Sequence, residues 1–285
     1  MRNSLVDFGY RRYSQYGEDG IIEKIFECIG TTSKVCVELG AWDGFHLSNT
    51  ANLWTQSWKG VLIECDDAKF EQLTRNVRGH DCLCIKALVG RSETDSLETI
   101  LRGHGVQSPI DLLSIDVDGD DYFIFGSLGK LRPRLVIVEY NPTIPAHIDL
   151  YADPGNFFGC SVGALVRLGS ERGYKLVALT DTNAFFVTEE EFLKLREFET
   201  DLDRIRIDRY LVYLVTSFAG DYVVCGTPLF RTSYPYRGKL NGEHRKIAFK
   251  PRVFQALRLI GKIRRGLRAA RAWTVPRARM TRSCQ

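Results

Sequence analysis

From Lys34 to about Val187 the chain alternates short apolar runs with amphipathic segments, the pattern of a parallel sheet covered by helices on both faces. Strands are predicted at Val35–Leu39, Gly60–Glu64, Cys82–Leu88, Asp111–Asp116 and Leu135–Glu139. Each is nearly all apolar, as strands buried on both sides are. Helices are predicted between them, near Ser48–Gln56, Ala68–Val77, Ser96–Leu101 and Tyr122–Leu128. Another fits Ser161–Glu171, with Gly173 in position to end it. Two closing strands, Lys175–Leu179 and Ala184–Val187, flank the turn-prone Asp181-Thr182-Asn183. Together these describe an α/β, Rossmann-like, doubly wound seven-strand domain over residues 34–200.

The flanks read differently. In residues 1–33, Ser14-Gln15-Tyr16-Gly17-Glu18-Asp19-Gly20 leads into a helix to about Ile29. Thr188 to Arg206 is rich in Glu, Leu and Arg, which predicts a surface helix. In an extension at 201–244, Tyr210–Val215 and Tyr222–Cys225 fit either strands or core packing. Asn241-Gly242 and Pro251 punctuate the entry to a tail at 245–285.

Charge sharpens that division. The formal net charge is only +4, but residues 245–285 hold 13 Lys or Arg and no Asp or Glu, leaving 26 basic against 35 acidic residues before them. An acidic body carries a basic tail. The 44% hydrophobic and 26% charged fractions are ordinary for a soluble globular protein. The eight cysteines are scattered, several within apolar runs, and Cys82 and Cys84 have no second pair at zinc spacing. A reducing, cytoplasmic setting is expected. Met1 to Gly20 is polar and turn-rich, unlike a signal segment, and no apolar run approaches the ~20 residues that span a bilayer.

The first candidate chemistry lies after the first strand, in Glu38-Leu39-Gly40-Ala41-Trp42-Asp43-Gly44. A strand followed by glycines and a helix start is a nucleotide-type turn, in which glycines permit a sharp bend and close approach to a ligand. The dinucleotide fingerprint requires a third glycine and a pyrophosphate on the helix amides. Here that glycine is missing and carboxylates would repel a pyrophosphate. They suit a ligand with an ammonium and a sulfonium, S-adenosyl-L-methionine, with Glu38, Gly40, Asp43 and Gly44 near its methionine part. The second strand ends in Glu64, 24 positions after Gly40, where an acid can accept both ribose hydroxyls. The third ends at Ala87-Leu88-Val89, and Leu88 can flank an adenine ring or simply pack in the core.

Asp116-Val117-Asp118-Gly119-Asp120-Asp121 leaves the fourth strand at the same carboxyl edge, and Glu139-Tyr140-Asn141 leaves the fifth. Asp116, Asp118, Glu139 and Asn141 form a candidate oxygen-ligand set for Mg²⁺, which could lower the pKa of a substrate hydroxyl. An EF-hand is excluded because the glycine is misplaced and position twelve is Ser127. Alternatively Asp116 or Asp118 touches cofactor or substrate directly as a general base, while others cap the next helix. His147, in the Pro-containing segment from Asn141 to Gly159, is a further candidate base; a loop histidine can equally be merely solvated.

These motifs resemble the FkbM-type methyltransferases. The resemblance rests on Ser14-Gln15-Tyr16-Gly17-Glu18-Asp19, Val37 to Gly44 with Ser48-Asn49-Thr50, Ile63-Glu64, and Ile115-Asp116-Val117-Asp118-Gly119. It runs from Ser14 to Val187. In the last motif Asp118 stands where the family pattern has Glu, which shortens one carboxylate. The resemblance implies a class I methyltransferase fold and O-methylation of a sugar, polysaccharide or polyketide-type hydroxyl. It also implies that Gln15 and Asp19 close over the cofactor and that Ser48 joins the cofactor set. Read from the residues alone, Ser14 and Glu18 are helix-entry caps.

In the tail, Val253, Leu257, Ile260, Ile263, Leu267 and Ala270 recur at helical spacing among arginines and lysines, and Trp273 ends the run. A basic amphipathic helix suits an anionic membrane surface, where each basic residue contributes on the order of 1 kcal/mol. A solvated tail and nucleic acid are the alternatives, the latter disfavoured. The expected partners are thus a hydroxyl-bearing glycan acceptor and the inner face of a membrane. Two rival functions stand beside this: a metal-dependent hydrolase using the Asp116–Asn141 cluster, and a non-catalytic membrane adaptor.

Overall fold

The computed structural model describes residues 3–106, 109–153, 157–211, 213–216, 218 and 222–225. The chain divides into two units, Met1–Leu211 and Val212–Gln285. In the first, α1 (Glu18–Ile29) precedes β1 (Val35–Leu39), α2 (Ala51–Trp54), β2 (Lys59–Glu64), α3 (Asp67–Asn76) and β3 (Cys82–Lys86). Then come α4 (Leu97–Gly103), β4 (Leu112–Ile115), α5 (Asp121–Gly126), β5 (Leu135–Glu139), α6 (Val162–Glu171), β6 (Tyr174–Leu179) and β7 (Asn183–Thr188). Two short helices, α7 (Glu189–Phe192) and α8 (Leu202–Ile205), follow.

All seven predicted strands form one sheet, in the order β3-β2-β1-β4-β5-β7-β6. β1 to β5 are parallel, and β7 lies antiparallel between β5 and β6. This is the Rossmann-like class I methyltransferase topology. After β1 the chain winds outward through β2 to β3, then returns to β4 on the other side. The switch point between β1 and β4 opens a crevice at the carboxyl ends of the strands, where doubly wound sheets bind ligands.

Alternate residues of each strand feed two cores. Val37 and Leu39 pack with Ile115, Phe125, Val138 and Leu165 on one face, while Cys36 packs with Ile21, Ile25, Trp54 and Leu62 on the other. Both faces are buried, so the strands read as apolar runs rather than alternating ones.

The opposite, amino-terminal edge is fastened by a polar hub. Asp111 is fully buried and accepts hydrogen bonds from the backbone N–H groups of Thr32, Ser33 and Lys34, and from the Thr32 hydroxyl. Arg134 pairs with Asp111 at 2.9 Å and with Glu191 at 2.6 Å. Its guanidinium also donates to the carbonyls of Ile29 and Gly30, the unpaired end of α1.

The predicted helix from Thr188 to Arg206 is broken. After α7 the chain turns through Leu193–Leu195 and buries Leu195 and Phe198, the latter edge-on to Phe8. Asp201 then caps α8 through the N–H of Asp203. Burial of two apolar side chains outweighs the helical propensity of the run.

The second unit contributes an antiparallel pair, β8 (Tyr213–Thr216) and β9 (Tyr222–Cys225). The basic tail at 245–285 lies outside the described residues. Among the described residues no helix is long and apolar enough to cross a membrane.

Candidate functional site

A cavity of about 320 Å³ opens at the carboxyl edge, over the switch point. That is the lower end of the range for small-molecule sites. Its walls bring together Gln15, Glu38, Gly40, Ser48, Glu64, Leu88, Asp116, Asp118 and Glu139, nine of the residues singled out in the sequence. Asp19, Asp43, Gly44, Asn141 and His147 do not line it.

The β1 turn is shaped by packing. Gly40 has φ +73°, and a Cβ there would overlap the backbone carbonyl of Asp116, so the glycine is required by the neighbouring strand end. Gly44, at φ +89°, lies against Leu73 of α3 and Val77 just after it. Asp43 turns away from the cavity and accepts the N–H groups of Phe45 and His46. Asp43 and Gly44 therefore build the turn and, unlike the other cofactor candidates on this loop, do not line the cavity.

Glu38 does line the cavity, but both oxygens are occupied. It accepts from the Ser48 hydroxyl at 2.6 Å, the Asn49 N–H at 2.8 Å and the Thr50 hydroxyl at 2.7 Å. Burial pushes its pKa up, and those donors hold it down. Drawing residues 48–50 onto Glu38 removes them from the predicted helix, so α2 starts only at Ala51. Ser48 is thereby fixed at the cavity wall.

Glu64 is buried at the end of β2 and accepts three backbone N–H groups. Cys65 and Asp66 donate to Oε1, and Trp42 donates to Oε2 at 3.0 Å. A carboxylate has about four acceptor positions. Oε2 keeps one of its two, so a ligand hydroxyl can be accepted there, but Oε1 is filled. Glu64 fits one ribose hydroxyl directly rather than two. Leu88 is 74% exposed on the far wall, an apolar surface available to a ring and not core packing.

Three lining residues hold left-handed backbone without being glycine: Trp42 at φ +47°, Leu47 at +56° and Asp118 at +57°. Such conformations cost of order 1–3 kcal/mol each and concentrate at functional sites. Trp42 stands at the mouth between His46, edge-on at 4.9 Å, and Lys69, whose ammonium lies 4.0 Å from the ring centre. Lys69, Leu47 and the strain at Trp42 had no signal in the sequence, because positive φ outside glycine follows from tertiary contacts.

Gln15 reaches the wall through a strap. Asp19 accepts from the backbone N–H groups of Arg12, Tyr13 and Ser14, and from the Ser14 hydroxyl. Ser14 pairs with Leu47 in an isolated parallel bridge, and Tyr13 packs on Phe45. Glu18 accepts from Thr180 and Asn183 in the β6–β7 turn. Asp19 thus holds the strap through Oδ2 and does not itself line the cavity.

At the other wall, carboxylate oxygens of Asp116, Asp118 and Glu139 lie within 4.8 Å of one another. Among the described residues none of the three carboxylates accepts a hydrogen bond or pairs with a cation. Asp116 is densely surrounded yet keeps contact with solvent through the crevice. Burial, then its acidic neighbours, push Asp116 and Glu139 well above the usual carboxylate range. Asp121 is not part of this wall; it accepts from the N–H groups of Val117 and Gly119 and shapes their loop. Three carboxyl oxygens without a counter-charge fit a hard cation as donors, which would favour their ionised form. Asn141 leaves that set: its Oδ1 accepts from the N–H and hydroxyl of Thr143, and its Nδ2 donates to the Phe158 carbonyl. His147 is exposed and does not line the cavity.

No family model matches the chain, and no curated protein matches it. Among solved structures it is similar to a TehB-like SAM-dependent methyltransferase from Corynebacterium glutamicum, at 9% identity and TM-score 0.39, covering 61% of this chain and 88% of that one. A SAM-dependent methyltransferase from Clostridium acetobutylicum is similar at 10% identity and TM-score 0.40, covering 60% and 90%. CalS10, an amino pentose methyltransferase from Micromonospora echinaspora, is similar at 10% identity and TM-score 0.39, covering 60% and 89%. Likeness at this level leaves the reaction to be argued from the site.

Proposed function

We propose that this chain is an S-adenosylmethionine-dependent methyltransferase of the FkbM type that methylates a hydroxyl of a sugar, polysaccharide or glycan precursor. One observation carries the reading. A single cavity at the switch point joins the glycine turn after β1, a buried acid with a vacant acceptor position after β2, and uncompensated carboxylates after β4 and β5. Bound there, the cofactor supplies an electrophilic methyl group. Glu64 accepts a ribose hydroxyl, Leu88 covers the base, and the strap holding Gln15 bounds the methionine end. Asp116, whose pKa is raised chiefly by burial, is suited to take a proton from an acceptor hydroxyl at the crevice floor. Association of the tail at 245–285 with an anionic membrane surface belongs to the same proposal and rests on sequence alone.

Calorimetric titration with S-adenosylhomocysteine tests the reading. Binding is expected, with roughly a tenfold or greater loss in Glu64→Ala, the effect of about 1.4 kcal/mol. Absence of binding to the full-length chain would overturn it.

A second reading has its own support in the Asp116–Asp118–Glu139 cluster. A Mg²⁺ ion held by those oxygens would make the site metal-assisted, either in methyl transfer or in hydrolysis. The two readings separate on whether S-adenosylhomocysteine binds.

A further inference from the structure

We infer that Trp42 positions the nucleoside half of the cofactor, its indole covering that half, and that Lys69 acts through Trp42 by holding the indole in place. This deepens the methyl-transfer reading and rests on it.

The backbone gives the first reason. A bulky residue at φ +47° is a true outlier, because its Cβ crowds the neighbouring carbonyl, whereas glycine takes that conformation freely. This turn already uses glycine at positive φ twice, at Gly40 and Gly44. Burial of the side chain does not offset the strain at Trp42, which is 43% exposed while Trp54 and Trp58 are buried. An open indole on a cavity wall, held by strained backbone, is explained by a ligand that covers it.

The second reason is what the strain accomplishes. It accompanies the hydrogen bond from the Trp42 N–H to Oε2 of Glu64, the oxygen that keeps a vacant acceptor position. The backbone of Trp42 therefore orients the group that receives a ribose hydroxyl. In the sheet β2 lies between β1 and β3, so Glu64 is flanked by Trp42 on the β1 turn and by Leu88 beyond β3. A polar acceptor between two open apolar side chains matches a nucleoside, with its hydroxyls on the ribose and apolar faces on the base.

The indole is also braced. His46 meets it edge-on, and the Lys69 ammonium lies 4.0 Å from its ring centre; all three residues line the wall. Lys69 is fixed in the first turn of α3, where its backbone N–H donates to Asp66. Among the described residues it pairs with no carboxylate, and it is the one Lys or Arg lining the cavity. It stands on the β2 side, whereas Asp116, Asp118 and Glu139 follow β4 and β5 across the switch point. A sulfonium and an ammonium favour the carboxyl side, whose ionisation they promote, over the side that holds Lys69. That leaves the uncharged nucleoside beside Trp42.

The test is calorimetric titration of the full chain with S-adenosylhomocysteine and with methylthioadenosine, which keeps the nucleoside and lacks the amino-acid part. Trp42→Gly retains the N–H to Glu64 and relieves the backbone, so the thermal midpoint should hold or rise. Both ligands should lose affinity by the same factor, roughly tenfold, the scale of one aromatic contact to a base. Trp42→Phe keeps a ring and should recover most of that loss. Lys69→Met should cost about threefold in the parent and nothing in the Trp42→Gly background, because the pair acts as a unit. Unchanged affinity in Trp42→Gly, or a loss confined to S-adenosylhomocysteine, would overturn the inference. So would a parent that binds S-adenosylhomocysteine but not methylthioadenosine. Should the midpoint of Trp42→Gly fall with its affinity, Trp42→Phe decides: phenylalanine no better than glycine would make the indole structural and sink the inference. Equal costs of Lys69→Met in both backgrounds would overturn the part assigned to Lys69. A parent that binds neither ligand would instead overturn the methyl-transfer reading itself.

Discussion

The α-carbon of Gly40 abuts the backbone carbonyl of Asp116, so the turn after β1 and the end of β4 share one wall with no room for a side chain between them. The glycine that looks like a ligand-contact residue is first a packing residue. Gly40→Ala must relieve a clash with backbone and also hold φ near +73°. A left-handed alanine alone costs about 1–2 kcal/mol. The variant is expected to lose at least about 2 kcal/mol in urea unfolding, and to lose S-adenosylhomocysteine binding as the switch point opens. Unchanged stability would show that β1 and β4 can separate without penalty.

Asp19 and Gln15 separate the strap from its contact. Asp19→Ala leaves three backbone N–H groups and a hydroxyl near a buried position without their acceptor, each at about 1–3 kcal/mol before relaxation. A large fall in thermal midpoint is expected. Gln15→Ala removes no acceptor that holds the fold, so its midpoint should stay within about 1 °C of the parent, the scale of a neutral surface change. Its S-adenosylhomocysteine affinity should fall. If differential scanning fluorimetry finds the two variants alike, the strap is not what Asp19 holds.

The strands were legible because burial on both faces makes each an unbroken apolar run, and their acidic ends marked the ligand edge before any coordinates. What sequence could not supply was the partner of each acid. Glu38, Asp43, Asp19 and Glu64 all sit at motif positions, yet their oxygens serve backbone or hydroxyl donors from 1 to 22 residues away. Asp111 was read only as the start of a strand, since Thr32 and Arg134 reach it across long separations. His147 and Asn141 were singled out by residue type, and only geometry could remove them from the wall.

Glu139 is one of three carboxylates that repel one another without a cation to offset them. Burial raises the Glu139 pKa in the fold, which costs stability at neutral pH, and Glu139→Gln keeps the shape while removing that cost. Its thermal midpoint at neutral pH is expected to rise by roughly 2–4 °C, what about 1 kcal/mol produces in a domain of this size. Millimolar Mg²⁺ should raise the midpoint of the parent chain and much less that of the variant, and chelation should reverse the shift. Equal responses to Mg²⁺ in both proteins would dismiss the cluster as a cation site.

At the far edge of the sheet, Asp111 and Arg134 set the response to acid. Burial opposes ionisation of Asp111, but the hydrogen bonds from Thr32 and Arg134 outweigh it and hold the carboxyl below its ordinary value. The folded state therefore binds that proton less readily than the unfolded chain does. The resulting stability is fully present above the unfolded carboxyl pKa, near about 3.9, and is lost as pH falls through the lower folded value. Asp111→Ala leaves Arg134 only 13% exposed with one of its two acidic partners gone, and strips the acceptor from three backbone amides. A loss of about 3–5 kcal/mol at neutral pH is expected. As pH falls through the lowered folded value of Asp111 the two proteins should converge, because the parent then loses the same carboxylate. Urea titrations from pH 7 down to about pH 2.5 read both effects, and a gap that stays constant with pH would show that packing, not the ionised carboxylate, holds this edge.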